Sequence, residues 1–234
     1  MGFYQFTYRL VQEALVQELS LTRRVRLHAR IAGVLEDMYQ SALEPHAAEL
    51  AYHFFQSEAI TGPEKAVEYS IMAGEQALQS YAYEETEIHF RRAQASKEGQ
   101  PMDAKAAAIL YSLARTIAAT GGRLVALVVL DNLQQAFQYY LDAGDLARAV
   151  QVAEYPVEQM AGAAVGTSEF ITRALPLVPS DSQQGGRLLS TYALTLYQGN
   201  RRLPRSARRV QSCFRHCPAG GRLDPGNTGF GRRR

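Results

Sequence analysis

The chain has 234 residues, of which 47% are hydrophobic, and a formal net charge of +2. This length accommodates one large domain or two small ones with a real core, and two cysteines are too few for a disulfide-held secreted fold. The longest apolar run, Leu124 to Leu130, is too short to span a bilayer, and no secretory leader precedes it, so we expect a cytoplasmic protein.

Two helices open the chain, the first capped by Thr7 and the second running from Thr22 to about Tyr39. Each has apolar residues at spacing four on one face: Val11, Leu15 and Leu19 in the first, and Leu27, Ile31 and Leu35 in the second. The two stripes predict an antiparallel hairpin, with Phe3, Tyr4 and Phe6 left poorly covered.

Further helices follow with short connections. Pro45 suits the first turn of a third helix, and Thr61 and Pro63 predict the cap and first turn of a fourth. Later helices are predicted over four ranges: 83–97, 102–119, 123–142 and 145–154. Gly121–Gly122 and the segment Asp142 to Asp145 serve as breaks. Alternating strand patterns are absent from the sequence, so the predicted fold class is all-α, built of antiparallel helix pairs.

Small and large residues recur in these pairs at informative offsets. Gly74 and Ala77, followed by Thr86, Phe90 and Ala93, resemble the tetratricopeptide (TPR) pattern, in which small residues let two helices approach and an aromatic fills the gap. Similar offsets recur later, at Ala114, Ala126, Leu130 and Leu133, and more weakly at Leu146, Ala149 and Ala153. We therefore predict a TPR-like right-handed array; the alternative is an irregular helical bundle.

The segments "FYQFTYRLVQEALVQELSLTRRVRLHARIAGVLE", "HAAELAYHFFQS" and "PEKAVEYSIMAGEQALQSYAYEETEIHFRRA" together resemble one known junction. It is the join between ATPase module and helical repeats in bacterial signal-transduction ATPases of the STAND class, which include MalT-like and LuxR-type transcription activators and ATPase-coupled adenylate cyclases. Tyr4, Phe6 and Leu10 fit that family's F-x-F-x-H-x-L pattern, with Tyr8 in place of His. The resemblance, over residues 3 to 198, implies that the first helix would close an ATPase module that this chain lacks.

No phosphate-binding G-x-x-x-x-G-K-[ST] loop occurs in the sequence. The segment "ATGGR", Ala119 to Arg123, is the one Gly pair near a helix start, and without a lysine or a preceding strand it is interpreted as a turn. We therefore expect a chain that is not an enzyme and does not hydrolyse ATP.

Other candidate sites have simpler interpretations. His46 and His53 lie on nearly one helical face without a completing ligand, and His28 and His89 are expected to be lone packing residues. Cys213, His216 and Cys217 would form half a zinc site with no second half. Tyr81 with Tyr83, and Tyr139 with Tyr140, would stack a ligand or, as is commoner at helical spacing, line the core and a groove. The sequence thus predicts no catalytic, cofactor-binding or metal-binding residues, and it does not identify protein-binding ones.

Basic residues cluster in the second helix: Arg23, Arg24, Arg26 and Arg30. One interpretation is a solvated face paired with nearby acids, namely Glu13, Glu18, Glu36 and Asp37. The other is a surface that docks an acidic or nucleotide-bearing neighbouring domain.

The last segment, residues 201–234, differs from the rest. It has ten arginines against one acidic residue, Asp224, a net charge of +9, so the first 200 residues carry −7. Its Arg, Gly and Pro content predicts disorder, and we hypothesise a shift of reading frame near residue 200. The alternative is a genuine nucleic-acid-binding arm, although only Phe214 and Phe230 interleave the arginines.

Three segments follow from these patterns: a helical hairpin over 1–40, TPR-like repeats over 41–200, and a basic tail over 201–234. The expected function is a non-catalytic interaction module from a larger regulator, which binds a protein, a peptide or the regulator's own domains and needs no cofactor. The alternatives are a nucleic-acid binder acting through its tail and, less favoured, a stand-alone helical enzyme.

Overall fold

The computed structural model describes residues 8–121, 125–156, 163–179 and 181–198, and these ranges are helical, without a strand. Their α-helices are α1 (Arg9–Gln17), α2 (Leu21–Met38), α3 (Ala47–Gln56), α4 (Glu58–Thr61), α5 (Glu64–Gln79), α6 (Tyr83–Ser96), α7 (Ala104–Thr120), α8 (Ala126–Asp142), α9 (Leu146–Ala153), α10 (Ala163–Ala174) and α11 (Gln183–Gln198). Two 3-10 turns, Glu44–His46 and Leu175–Leu177, precede α3 and follow α10. The all-α prediction is confirmed.

Side-chain caps fix several helix starts. Ser20 accepts a hydrogen bond from the amide of Arg23, Asp103 from Ala106 at 2.8 Å, and Asp145 from Arg148. Each satisfies an amide that the first turn of a helix leaves without a partner.

The predicted Thr61 cap is wrong. Thr61 ends the short α4, where its hydroxyl donates to the carbonyl of Ser57 at 3.1 Å, and α5 begins after Pro63 without a side-chain cap. The sequence pattern did not reveal α4, which at four residues is too short to show an apolar period.

The pair α5 and α6 packs as predicted. Phe90 is 1% exposed, and a Cβ added at Gly74 would lie 2.9 Å from its ring. The glycine therefore makes room for the aromatic, and Ala77, Thr86 and Ala93 are buried beside them. At the second predicted match all four residues are buried: Ala114, Ala126, Leu130 and Leu133. At the third, weaker match Ala149 and Ala153 are buried, but Leu146 is 46% exposed.

Each helix from α5 to α9 packs on the next in sequence, and α10 packs on α11 and α8. The largest apolar cluster extends from Val67 in α5 to Tyr192 in α11. A second cluster joins α2, α3 and α5 around Leu50 and Phe54. The helices from α5 onward thus share one extended cluster, and α2 and α3 pack on α5 through the separate second cluster.

The predicted packing of the first two helices is wrong. Val11 and Leu15 of α1 are 49% and 52% exposed, and Leu27 and Ile31 of α2 are 44% and 39% exposed. Instead, α2 buries Ala32 and part of Leu35 against the second cluster. A helix with apolar residues on two faces offers two ways to pack, and α3 covers only one of them.

Several predictions lie outside the described residues: the Thr7 cap, the coverage of Phe3, Tyr4 and Phe6, most of the turn after Gly121, and everything said of residues 201–234. Among the helices that the structure does describe, none has the length and apolar content needed to cross a membrane.

Candidate functional site

The turn between α5 and α6 has an unusual backbone. Tyr81 has φ of 60°, in the left-handed region that a side chain disfavours, and it is 77% exposed. Three backbone hydrogen bonds close the turn. The amides of Tyr81, Ala82 and Tyr83 donate to the carbonyls of Leu78, Ala77 and Tyr81, respectively. The left-handed residue ends α5 as a glycine commonly would.

The turn between α8 and α9 repeats this geometry. Its three hydrogen bonds have the same register: Gly144 to Leu141, Asp145 to Tyr140, and Leu146 to Gly144. Here the left-handed position is held by Gly144, with φ of 76°. The two turns therefore have the same backbone register, and Tyr81 stands where its counterpart is glycine.

A left-handed aromatic residue costs about 1 kcal/mol or more, which glycine avoids. No burial offsets this cost at Tyr81, because most of its side chain faces solvent. Strain at an exposed aromatic indicates a role for the side chain itself. Tyr83, whose ring centroid lies 6.4 Å away in an edge-on arrangement, adds a second aromatic beside it.

Tyr81 borders an open groove of about 550 Å³ between α5 and α7. We call this the α5–α7 groove; it is lined by Glu75, Leu78, Gln79, Tyr81, Ser112 and Arg115. A carboxylate from α5, a guanidinium from α7, an amide and a hydroxyl provide the polar groups. The exposed ring and Leu78 provide apolar surface.

Arg115 is held by aromatic residues behind the groove. Its guanidinium lies 5.6 Å from the centre of the Tyr111 ring, which meets the Tyr155 ring edge-on at 6.3 Å. The Tyr155 hydroxyl donates to the Arg115 carbonyl at 3.4 Å. Burial raises the pKa of both tyrosines, so they stay neutral at physiological pH. This support holds the Arg115 guanidinium at the edge of the groove.

Sequence reasoning named Tyr81 and Tyr83 as possible stacking residues but missed Arg115. The signal at Tyr81 lies in a comparison of "LQSYAYEE" with "LDAGDLAR", where tyrosine replaces the glycine of the second turn. Arg115 carries no such signal, because it meets Tyr81 only through the packing of the helices. Of the other predicted pair, Tyr140 is buried and Tyr139 lines a separate cleft beside Arg173, in agreement with core and groove positions.

The histidines are arranged differently from the prediction. His53 and His28 approach across α3 and α2, with their Nδ1 atoms 2.9 Å apart, so His28 is not a lone residue. Burial and the neighbouring Arg24 lower the pKa of His28, while burial and His28 lower that of His53. His46 instead stacks on Tyr39, with ring centroids 3.4 Å apart.

Around the pair His28 and His53, as elsewhere in the described ranges, no three His, Cys, Asp or Glu side chains converge. Its surroundings are basic, since Arg24 lies beside His28 and Arg92 lies over the Tyr52 ring at 5.9 Å. His89, on α6, has a pKa lowered by burial and by Arg92.

One predicted arginine partner is engaged elsewhere. Glu36 accepts hydrogen bonds from Lys65 and from the Tyr69 hydroxyl, which hold its pKa below the ordinary value although burial opposes the shift. The predicted pairing of Glu36 with the arginines of α2 is therefore wrong.

Comparison with known proteins adds no identification: no family model, curated protein or solved structure matches the chain. The candidate site accordingly rests on its own geometry, a strained exposed tyrosine beside an oriented arginine in a groove between two helices.

Proposed function

We propose that this chain is a non-catalytic helical-repeat interaction module, which binds an extended segment of a partner protein in the α5–α7 groove. The observation that carries the proposal is the exposed Tyr81 at positive φ, where the equivalent turn has glycine. Exposed aromatic side chains and arginine are the residues that most often anchor protein partners.

The helix pairs support this choice of ligand. Equivalent turns at α5–α6 and α8–α9, and the close approach of Gly74 to Phe90, are features of TPR-like stacking. A right-handed array of such pairs would offer an elongated surface lined by successive helices, suited to a polypeptide.

The chemistry of the groove limits the ligand. Arg115 would bind a carboxylate, and Tyr81 with Leu78 would pack on an aromatic or aliphatic side chain. Glu75 favours a basic or amide group nearby. The expected ligand is a peptide in which an acidic residue and a large apolar residue are close in sequence.

In the architecture that the sequence resembles, the module would belong to a signal-transduction ATPase or transcriptional regulator and couple partner binding to its other domains. The exposed apolar residues of α1 support this extension: Leu10 and Leu15 are 78% and 52% exposed. Such a surface suits a neighbouring domain.

A displayed random-peptide library tests the proposal with the full chain as bait. We expect enriched peptides of the stated composition, with binding reduced at least tenfold by Arg115→Glu and by Tyr81→Gly. Ile88→Ala is the matched control, since Ile88 is exposed on α6 and does not line the groove. Failure to enrich peptides, or binding that neither groove variant weakens, would overturn the proposal.

A further inference from the structure

One face of α2 carries an exposed apolar stripe, which we call the α2 stripe: Leu27, Ile31, Val34 and Met38. Their exposed fractions lie between 39% and 51%, and their spacing of four, three and four is that of a coiled-coil seam. The opposite side of the helix holds the fully buried Ala32, so the stripe is separate from the intramolecular packing of α2.

Gly33 lies level with the middle of this stripe along α2, but about a third of a turn around the helix from it. A Cβ added there would meet no atom within 4 Å, in contrast to Gly74, where the Phe90 ring requires a glycine. Glycine in a helix interior costs about 1 kcal/mol relative to alanine. Because Gly33 faces away from the seam, the open space beside it concerns the stability of α2 and not the pairing proposed below.

The charges flanking the α2 stripe divide along the helix. Arg23, Arg26 and Arg30 are exposed toward its beginning, and Asp37 is exposed toward its end. Glu36 is already engaged with Lys65 and Tyr69 and is therefore not counted. A helix that is basic at one end and acidic at the other is complementary to itself when it is reversed.

We propose that the α2 stripe is a self-association surface, whose occupant is α2 of a second copy of this chain in antiparallel orientation. A two-fold axis near Gly33 places Ile31 of each copy against Val34 of the other and Leu27 against Met38. Arg30 of each copy then lies beside Asp37 of the other, twice in the dimer.

Parallel pairing offers no such charge match, because it places Arg30 of one copy nearest Leu35 of the other and not beside Asp37. A neighbouring domain of other composition would not require the stripe to be self-complementary. The proposal is independent of the α5–α7 groove, which lies on other helices, so either can fail without the other.

Sedimentation equilibrium of the full chain tests the pairing with complementary charge reversals. We expect the wild type to dimerise at micromolar concentrations, whereas R30D and D37R are each monomeric, because each alone juxtaposes like charges. A one-to-one mixture of R30D and D37R should dimerise again, since both Arg–Asp pairs are then restored between unlike copies.

Ile31→Lys removes the centre of the seam and should abolish the dimer, whereas Ile88→Lys, which changes another exposed isoleucine, on α6, should not. Circular dichroism checks that each variant remains folded, as expected for exposed positions. A wild type that stays monomeric, or a dimer that the charge reversals leave unchanged, would overturn the proposal; a monomeric wild type would leave a different partner as the occupant.

Discussion

The α5–α6 and α8–α9 pairs share one turn geometry but distribute side-chain volume in opposite ways. In the first pair the first helix supplies Gly74 and the second Phe90. When the turns are superposed in register, the equivalent residues of the second pair are Phe137 and Ala153, both buried. Both pairs therefore hold one large and one small residue at these two positions, in opposite order.

The exchange also changes what each aromatic contacts. Phe90 lies over Gly74 within its own pair, whereas the Phe137 ring meets the Phe170 ring of α10 edge-on at 4.9 Å. The large residue of the second pair thus connects α8 to a further helix. The two aromatics thus make different contacts although the turns of their helix pairs have the same geometry.

Removing either aromatic gives the largest expected effect. Phe90→Ala and Phe137→Ala each empty a fully buried site and should lower the free energy of unfolding by about 3–5 kcal/mol. Urea denaturation followed by circular dichroism measures both. A loss below about 1 kcal/mol at one site would mean that the two aromatics are not equivalent.

Enlarging the small residue should have a smaller effect. Gly74→Ala places a Cβ 2.9 Å from the Phe90 ring and should cost about 1–3 kcal/mol through overpacking. Gly33→Ala is the matched control: it meets open space and should raise stability by up to about 1 kcal/mol. Thermal unfolding measures both variants. If Gly74→Ala and Gly33→Ala changed stability by the same amount in the same direction, the packing argument would be contradicted.

Substitutions at the two left-handed turn residues should change the free energy of unfolding in opposite directions. Tyr81→Gly relieves the left-handed strain and should raise the free energy of unfolding by about 0.5–1 kcal/mol, while Gly144→Ala introduces that strain and should lower it by a similar amount. Tyr81→Gly should weaken peptide binding at the same time. A destabilised Tyr81→Gly would show that the ring supports the fold rather than a ligand.

The smallest expected effect is a pH dependence at the α2–α3 contact. The folded chain lowers the pKa of His28 and His53, so the unfolded chain binds protons first, and stability should fall as the pH drops below about 6.5. Glu49 opposes the shift at His53, and His89 contributes in the same direction as the pair.

His28→Gln should diminish the stability difference between pH 7.5 and pH 5.5 (values chosen about one unit either side of the ordinary histidine pKa). His46→Gln, which alters a histidine outside the pair, should leave that difference in place. If His28→Gln changed nothing, the two rings would not be coupled.

Local periodicity and turn chemistry allowed much of this fold to be predicted. The all-α fold class and the pairing of Gly74 with Phe90 follow from residues close in sequence, and the structure confirms them. The exposure of the α2 stripe could not be predicted in this way, because a helix that is apolar on two faces does not specify which face its neighbour covers.

The candidate groove depends on contacts between distant residues. Tyr81 and Arg115 come together through the packing of α5, α6 and α7, and His28 meets His53 only when α2 lies on α3. The positive φ of Tyr81 could not be predicted from the residue type either, because tyrosine usually adopts negative φ. Only the glycine at the equivalent turn position reveals it.

The equivalence of the two helix pairs is tested most directly by exchanging the volumes in the first. The variants are Gly74→Phe, Phe90→Ala and the double variant, which reproduces the order found at Phe137 and Ala153, and the measurement is their free energy of unfolding. The expected result is that Gly74→Phe is severely destabilised and that adding Phe90→Ala restores stability, with a favourable coupling of at least about 1 kcal/mol. A double variant that loses the sum of the two single losses, or does not fold, would contradict the account.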